Sequence, residues 1–485
     1  MRLLVLLFIG TGLAGCVPAE RPAPATAALP TMQAWRDPVP AQAVPVDAKW
    51  WQRLRDPALV PLIERAVANN VDVLTAVARV EEAEAAIRLT RAGRLPTFDA
   101  LGAGGGQRTL SAVTGQGTDS VSLQPQVSAA WNLDLSGRVR ALVGAARAQY
   151  RASQADRDAA RLSVVAATIR TYVSLVALDA QIEVTRNTLE SRREALRIAE
   201  DRARTGYSSQ LELTQSQSEF EAIVQAIPQL EQGQRVQENM LRQLTGDPPG
   251  AVLRGRLPNI RLPAVPATLP SELLRRRPDI AAAELRVVAA DRTLASRRAE
   301  FLPDVQLSAS GGALLVHGLD FDPVSIWSLG ASILAPIFQG GALRADVDVA
   351  TAQRDQAAFA YRGATLTALS EVDNALSGER TIRDRFDAAM RRRSVLQRSL
   401  ALAADRYRGG YASYLEQLDA QRNLFQVELD AITVREEQIN NLVTLWAALG
   451  GGWQSAEGQV TSSLEQPAPE QLALRHGRRW RPVRS

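Results

Sequence analysis

Residues 72–96, DVLTAVARVEEAEAAIRLTRAGRLP, align without a gap on residues 279–303, DIAAAELRVVAADRTLASRRAEFLP. Nine of the 25 positions are identical: Asp72/Asp279, Ala76/Ala283, Arg79/Arg286, Val80/Val287, Ala83/Ala290, Arg91/Arg298, Ala92/Ala299, Leu95/Leu302 and Pro96/Pro303. Farther on, Asp201 to Glu212 (DRARTGYSSQLE) matches Asp405 to Glu416 (DRYRGGYASYLE). The offset is 207 residues in the first pair and 204 in the second. That period is far longer than any solenoid repeat. The chain therefore holds two copies of one large unit and carries internal pseudo-symmetry.

Outward from each aligned block the pattern reads helix, strand pair, very long helix, returning helix. Helical spacing runs from Leu59 to Arg94 and stops at Leu95-Pro96. The period then becomes two. Val121, Leu123, Val127, Ala129, Trp131, Leu133 and Leu135 alternate with mostly polar residues. The second copy alternates at Val305, Leu307, Ala309 and again from Trp327 through Leu329, Ala331, Ile333 and Ala335 to Ile337. This predicts strands with one apolar and one polar face. Gly-rich loops are expected around 102–117 and 311–322. Pro125, inside a candidate strand, blurs that boundary.

Each strand pair is followed by a proline-free helical stretch, Gly137 to Arg204 and Gly341 to Arg408, of 68 residues. An unbroken helix of that length reaches about 100 Å, too long for one compact core. It must pack on other long helices. Leu162, Val165, Ile169, Tyr172 and Val176 form one seam. Leu175, Leu178, Ile182, Thr185, Leu189, Arg192, Leu196, Ala199 and Ala203 form another, one position out of phase. A long helix in a soluble bundle has the same spacing. Thr205-Gly206-Tyr207 and Gly409-Gly410-Tyr411 then stop the helices. Helical spacing resumes to Leu244 and Leu449, so each long helix turns back at a far tip.

The composition is that of a folded protein, with 46% hydrophobic and 22% charged residues and a net charge of +4. Arg2, the apolar run Leu3 to Ile9 and the lipobox-like Leu13-Ala14-Gly15-Cys16 predict a lipoprotein signal over 1–15, with a lipid on Cys16. Val17, rather than Asp, after the cysteine suggests outer-membrane sorting. Cys16 is the only cysteine, so it has no intrachain disulfide partner. No later stretch has 18 consecutive apolar residues; a membrane crossing, if any, is made by strands. Five arginines in the last eleven residues (Arg475, Arg478, Arg479, Arg481, Arg484) read as a solvated terminus rather than a site for nucleic acid or anionic lipid. The expected divisions are a lipidated tether over 16–55, a first repeat over 56–246, a linker over 247–270, a second repeat over 271–452 and a C-terminal segment over 453–485.

Catalysis is not expected. Only His317 and His476 exist, and neither metal-ligand clusters nor a Ser-His-Asp spacing is present. Gly102-Ala103-Gly104-Gly105-Gly106 lacks the lysine of a phosphate loop and reads as a flexible surface loop. No cofactor is expected beyond the covalent lipid. Four strands per chain cannot close a barrel, and strands in lipid must close. Two chains give eight strands and a nearly filled bore. Three give twelve and an aqueous lumen, so geometry favours three.

The lipobox, the duplicated unit and several motifs together resemble the TolC-like outer-membrane factor family, in its lipoprotein branch (NodT-like, OprM-like). The motifs are Leu133-Asp134-Leu135-Ser136-Gly137-Arg138, Arg275-Arg276-Arg277-Pro278-Asp279-Ile280, Pro336-Ile337-Phe338-Gln339-Gly340-Gly341, and Gly410 through Leu415-Glu416-Gln417-Leu418-Asp419 to Arg422. The resemblance implies a mainly α fold with membrane β, four strands per chain joining a trimeric 12-stranded outer-membrane β-barrel. A periplasmic 12-helix α-barrel with an equatorial belt continues it. It further implies a homotrimer in the outer-membrane lipid, acting as exit duct of a tripartite efflux system with a periplasmic adaptor and an inner-membrane transporter. By the same resemblance Glu212, Glu416 and Asp419 are gate carboxylates at the periplasmic tips. Under three-fold symmetry each makes a ring that attracts cations; solvated helix-start carboxylates are the plainer reading. Arg204, Gly206, Tyr207, Arg408, Gly410 and Tyr411 are candidate adaptor contacts. The rivals are a duct for protein secretion and, in a different class, a non-conducting coiled-coil lipoprotein.

Overall fold

A computed structural model describes residues 22–29, 32–37, 49–110, 112–265, 270–317, 323–451 and 453. Cys16, His476 and the basic tail lie outside them. The first repeat contains α1 (Leu59–Asn69), α2 (Val71–Ala92), β1 (Thr97–Leu110), β2 (Gly117–Asn132), α3 (Arg138–Arg204) and α4 (Gln210–Leu244). The second contains α5 (Pro270–Arg276), α6 (Pro278–Ala299), β3 (Asp304–His317), β4 (Val324–Leu334), α7 (Ala342–Arg408) and α8 (Tyr414–Ala448). The two long helices, α3 and α7, each have 67 residues.

Each long helix is flanked by two shorter ones placed end to end. Near the sheet the packing order is α2, α3, α6, α7; toward the tips it is α4, α3, α8, α7. This change of neighbours explains the two seams on α3. Val165, Ile169, Tyr172 and Val176 are buried, and so are Leu175, Ile182, Thr185, Arg192 and Ala199. The main core lies where the neighbours change. There Trp50 and Trp446 stack at 5.5 Å, beside Ile63, Tyr172, Leu175 and Leu273. Tyr172 donates to Asp56 (2.8 Å) and accepts from the Gly255 amide (2.8 Å), fixing the segment around Gly255 to α3.

Three expectations need correction. The helix expected over Leu59 to Arg94 breaks at Asn70, whose ψ is 132°. Its side chain caps α2 by accepting from the amides of Asp72 (2.9 Å) and Val73 (3.4 Å), an alternative to the helical ladder that asparagine offers readily. Much of the expected Gly-rich loops is strand instead, with 112–116 remaining outside the strands and 318–322 lying outside the described residues. β1 runs through Gly102 to Gly106, and β3 through Gly311 and Gly312. Glycine lacks the side chain that would report alternation, and here it lets neighbouring strands close in. Third, the alternation ends sooner than read. β2 stops at Asn132 and β4 at Leu334, so Leu133, Leu135, Ala335 and Ile337 are not strand. After β2, Asp134 turns the chain with φ of 46° and its carboxylate accepts from the amides of Val139 (2.8 Å) and Arg140 (2.9 Å), starting α3.

Candidate functional site

The four strands form one antiparallel sheet in the order β1-β2-β3-β4. Register sorts the side chains. Ala100 opposes Val127, Val127 opposes Gly311, and Gly311 opposes Trp327, so these four share a face. With them go Phe98, Leu123, Trp131, Leu329 and Ile333, all large and exposed. The other face carries Ser122, Gln126, Ser128, Asn132, Ser308 and Ser332, with Leu314, Val316, Val324 and Ile326 beside them in the β3–β4 hairpin. Pro125 is accommodated within β2. It opposes Gly102 on one side, while the β2–β3 pairing skips from Leu123↔Leu315 to Gln126↔Gly312 where its missing N–H would fall.

At the opposite end two similar turns close the helical hairpins. Gly206 (φ 78°) and Gly410 (φ 77°) take the left-handed conformation that glycine tolerates. The amides of Tyr207 and Tyr411 then reach back to the carbonyls of Arg202 (2.8 Å) and Arg406 (2.9 Å). Arg204, Arg408 and both turn tyrosines point to solvent, the tyrosines 88% and 83% exposed.

The expected carboxylates do not converge within the chain. Glu212 accepts from the hydroxyl of Tyr407, which is buried beneath the Arg202 guanidinium (4.3 Å). Glu416 pairs with Arg406 at 3.5 Å. Asp419 has no ion pair within 4 Å among the described residues; its charge acts on Arg422. Burial and then Glu212 push the Tyr407 phenol up to about 12, so it stays a donor at any pH the cell meets. Deeper in, Arg422 donates through Nε to Glu219 (2.9 Å), and buried Arg192 reaches Gln421 (2.5 Å) and Glu219 (3.4 Å). Burial lowers the Arg192 guanidinium's pKa, and Glu219 opposes that. Three lateral links thus tie the α3–α4 hairpin to the α7–α8 hairpin. Sequence reading missed Tyr407, Arg422 and Gln421. Arg192 was visible only as a polar intruder in an apolar seam.

The family model described as outer membrane efflux protein matches residues 62–247 and 269–451, well over half of the chain. The chain belongs to the outer membrane efflux protein family. Among relatives, the pyoverdine export outer membrane protein OpmQ of Pseudomonas putida is 33% identical over 94% of this chain and 98% of its own length. The antibiotic efflux pump outer membrane protein ArpC of Pseudomonas putida is 32% identical over 92% and 94%. The open state of the Neisseria gonorrhoeae MtrE outer membrane channel superimposes with a TM-score of 0.78 at 27% identity, covering 90% of this chain and 98% of that one. This outer membrane efflux protein therefore places its sheet in the outer membrane. The apolar face is the lipid side, and the face with serines and glutamines is the bore side.

Proposed function

We propose that three copies of the chain close a 12-stranded barrel and a 12-helix tunnel, the passive exit duct for small molecules delivered by an inner-membrane transporter and a periplasmic adaptor. One observation carries this reading: among the described residues the outer edges of β1 and β4 are unpaired, and the helices continue the same two flanks below them. β1, α2 and α4 form one flank; β4 and α7 form the other. An open sheet edge in lipid leaves backbone groups unpaired, and a second copy supplies the partner. Cargo of small molecules, rather than proteins, is favoured by what the relatives' names say they export.

A lipid on Cys16 fits the geometry. The tether descends along α7: Arg354 donates to the Pro22 carbonyl (3.2 Å), Arg362 to the Thr26 carbonyl, and Asp37 meets Arg380 (3.3 Å). Arg354 lies twelve residues into α7, about 18 Å below the sheet. The residues from 16 to 22 span about 20 Å when extended, enough to reach the membrane base.

The three lateral links hold the tips together, and Glu212, Glu416 and Asp419 act there as the gate. The exposed turns from Arg204 through Gly206 to Tyr207, and from Arg408 through Gly410 to Tyr411, meet the adaptor. In planar bilayers the purified protein is expected to run as a heat-resistant trimer and to conduct ions. Glu416→Ala and Asp419→Ala should raise single-channel conductance and weaken cation preference. Tyr407→Phe, which deletes only the hydroxyl on Glu212, should raise conductance with the trimer intact. Unchanged currents in all three variants remove the tips from gating; a non-conducting trimer removes the duct.

A further inference from the structure

We propose that β4 of one copy joins β1 of the next in one register, with Leu334 opposite Leu101 and Ala331 opposite Gly104. The proposal rests on the closed-barrel reading and deepens it, because it names the residues of the subunit seam.

The register follows from the duplication. β1 begins with Thr97 opposite Ala130, and β3 begins with Asp304 opposite Leu334. The repeat therefore carries β1 onto β3 by 207 residues and β2 onto β4 by 204, the two offsets read in the sequence. Within the chain the repeats meet where β2 pairs with β3. In a closed ring the copies meet at the equivalent place, where β4 pairs with β1. Moving each partner by its offset turns Val127↔Gly311 into Ala331↔Gly104, and Ala129↔Ala309 into Ile333↔Gly102. Leu123↔Leu315 becomes Trp327↔Arg108.

Four features that did not enter the derivation agree with it. Face sorting is kept, whereas a slip by one residue would turn Ile333 toward the bore. Volumes compensate: β4 carries Ile333 where β2 carries Ala129, and β1 then has Gly102 where β3 has Ala309. Trp327, 81% exposed, comes opposite Arg108, a pairing within cation–π reach. The fourth feature selects among slips of two residues, which the first does not. At the helical end of the bore face two large apolar side chains stand among polar ones, Leu101 (61% exposed) and Leu334 (74%). The derived register sets them directly against each other. A slip of two sets Leu334 against Asp99 or Ala103 instead.

Cysteine cross-linking tests this. Residues directly opposite in an antiparallel pair have Cα atoms about 4.5–5.5 Å apart, within disulfide range, and those two positions off lie at about 7–8 Å. The full-length Leu101→Cys/Leu334→Cys protein, oxidised in detergent, should give covalent dimers and trimers in non-reducing gels. The Asp99→Cys/Leu334→Cys and Ala103→Cys/Leu334→Cys pairs should not, and each single variant controls for Cys16. Gly104→Cys/Ala331→Cys repeats the test from the lipid face. A trimer that cross-links best in an off-register pair, or in none, overturns the register alone. A protein that sediments as a monomer overturns the barrel reading beneath it.

Discussion

Gly450→Ala is expected to destabilise the helical body by on the order of 4–5 kcal/mol, the range in which a single substitution signals a definite mechanism. Gly450 has φ of 87°, and left-handed backbone alone costs an L-residue about 1–2 kcal/mol. The larger part is steric. A Cβ there would overlap the Arg276 carbonyl oxygen and stand 2.7 Å from its carbon. Those are backbone atoms, and they are held in place. The next residue, Arg277, is buried and donates to Glu371 (2.6 Å), to Asp279 (2.7 and 3.0 Å) and to the Ala448 carbonyl (3.1 Å). Trp446, one helical turn before Gly450, is stacked on Trp50. The clasp therefore joins the end of α8, the start of α6 and the N-terminal segment at the level of the main core. Gly451→Ala is the comparison. Its Cβ would meet the Leu162 Cδ1, the free end of a side chain that can turn away. Melts followed by helical circular dichroism should show a far larger loss for Gly450→Ala than for Gly451→Ala. Equal losses would mean that the close approach to Arg276 is not what requires glycine.

The duplicated plan and the long helices were legible because their signals are local and repeated. The absence of proline over 68 residues and the Gly-Tyr stops fixed α3 and α7 to within one residue. Strand extent was not legible. Gly102 to Gly106 and Gly311–Gly312 carry no alternation, and what makes them strand is the neighbouring strand lying over them. Leu123, for example, stands 3.3 Å from where a Cβ of Gly104 would be. The break at Asn70 was hidden because α1 and α2 share one apolar period across it. At the tips the acidic positions could be read from the duplication, but their partners could not. Tyr407 lies 195 residues from Glu212, and Arg422 lies 203 residues from Glu219. Those separations are close to the repeat offset. The Arg422–Glu219 link joins near-equivalent places in the two copies, so for that link the pseudo-symmetry itself was the signal available.

The junction of the two repeats within the sheet makes Gly312→Val the substitution with the largest expected effect on membrane assembly. The sheet is two hairpins joined by a single ladder, β2 against β3. That ladder is interrupted beside Pro125, which has no amide hydrogen to give. A Cβ on Gly312 would overlap the Pro125 carbonyl oxygen and lie 2.9 Å from Gln126 Cα, so valine must push the hairpins apart. The helices do not depend on this contact, since α3 packs on α6 and α8 through their own faces. Gly312→Val should therefore keep its helical circular dichroism while losing the heat-resistant trimer and bilayer conductance. Gly311→Val is the matched control. Its Cβ meets nothing within 4 Å and lies on the lipid face, where valine is welcome. If Gly312→Val assembled as well as Gly311→Val, the two hairpins would be held by something other than their direct backbone approach. If both lost their helices, sheet and helices would fold as one unit rather than as separable layers.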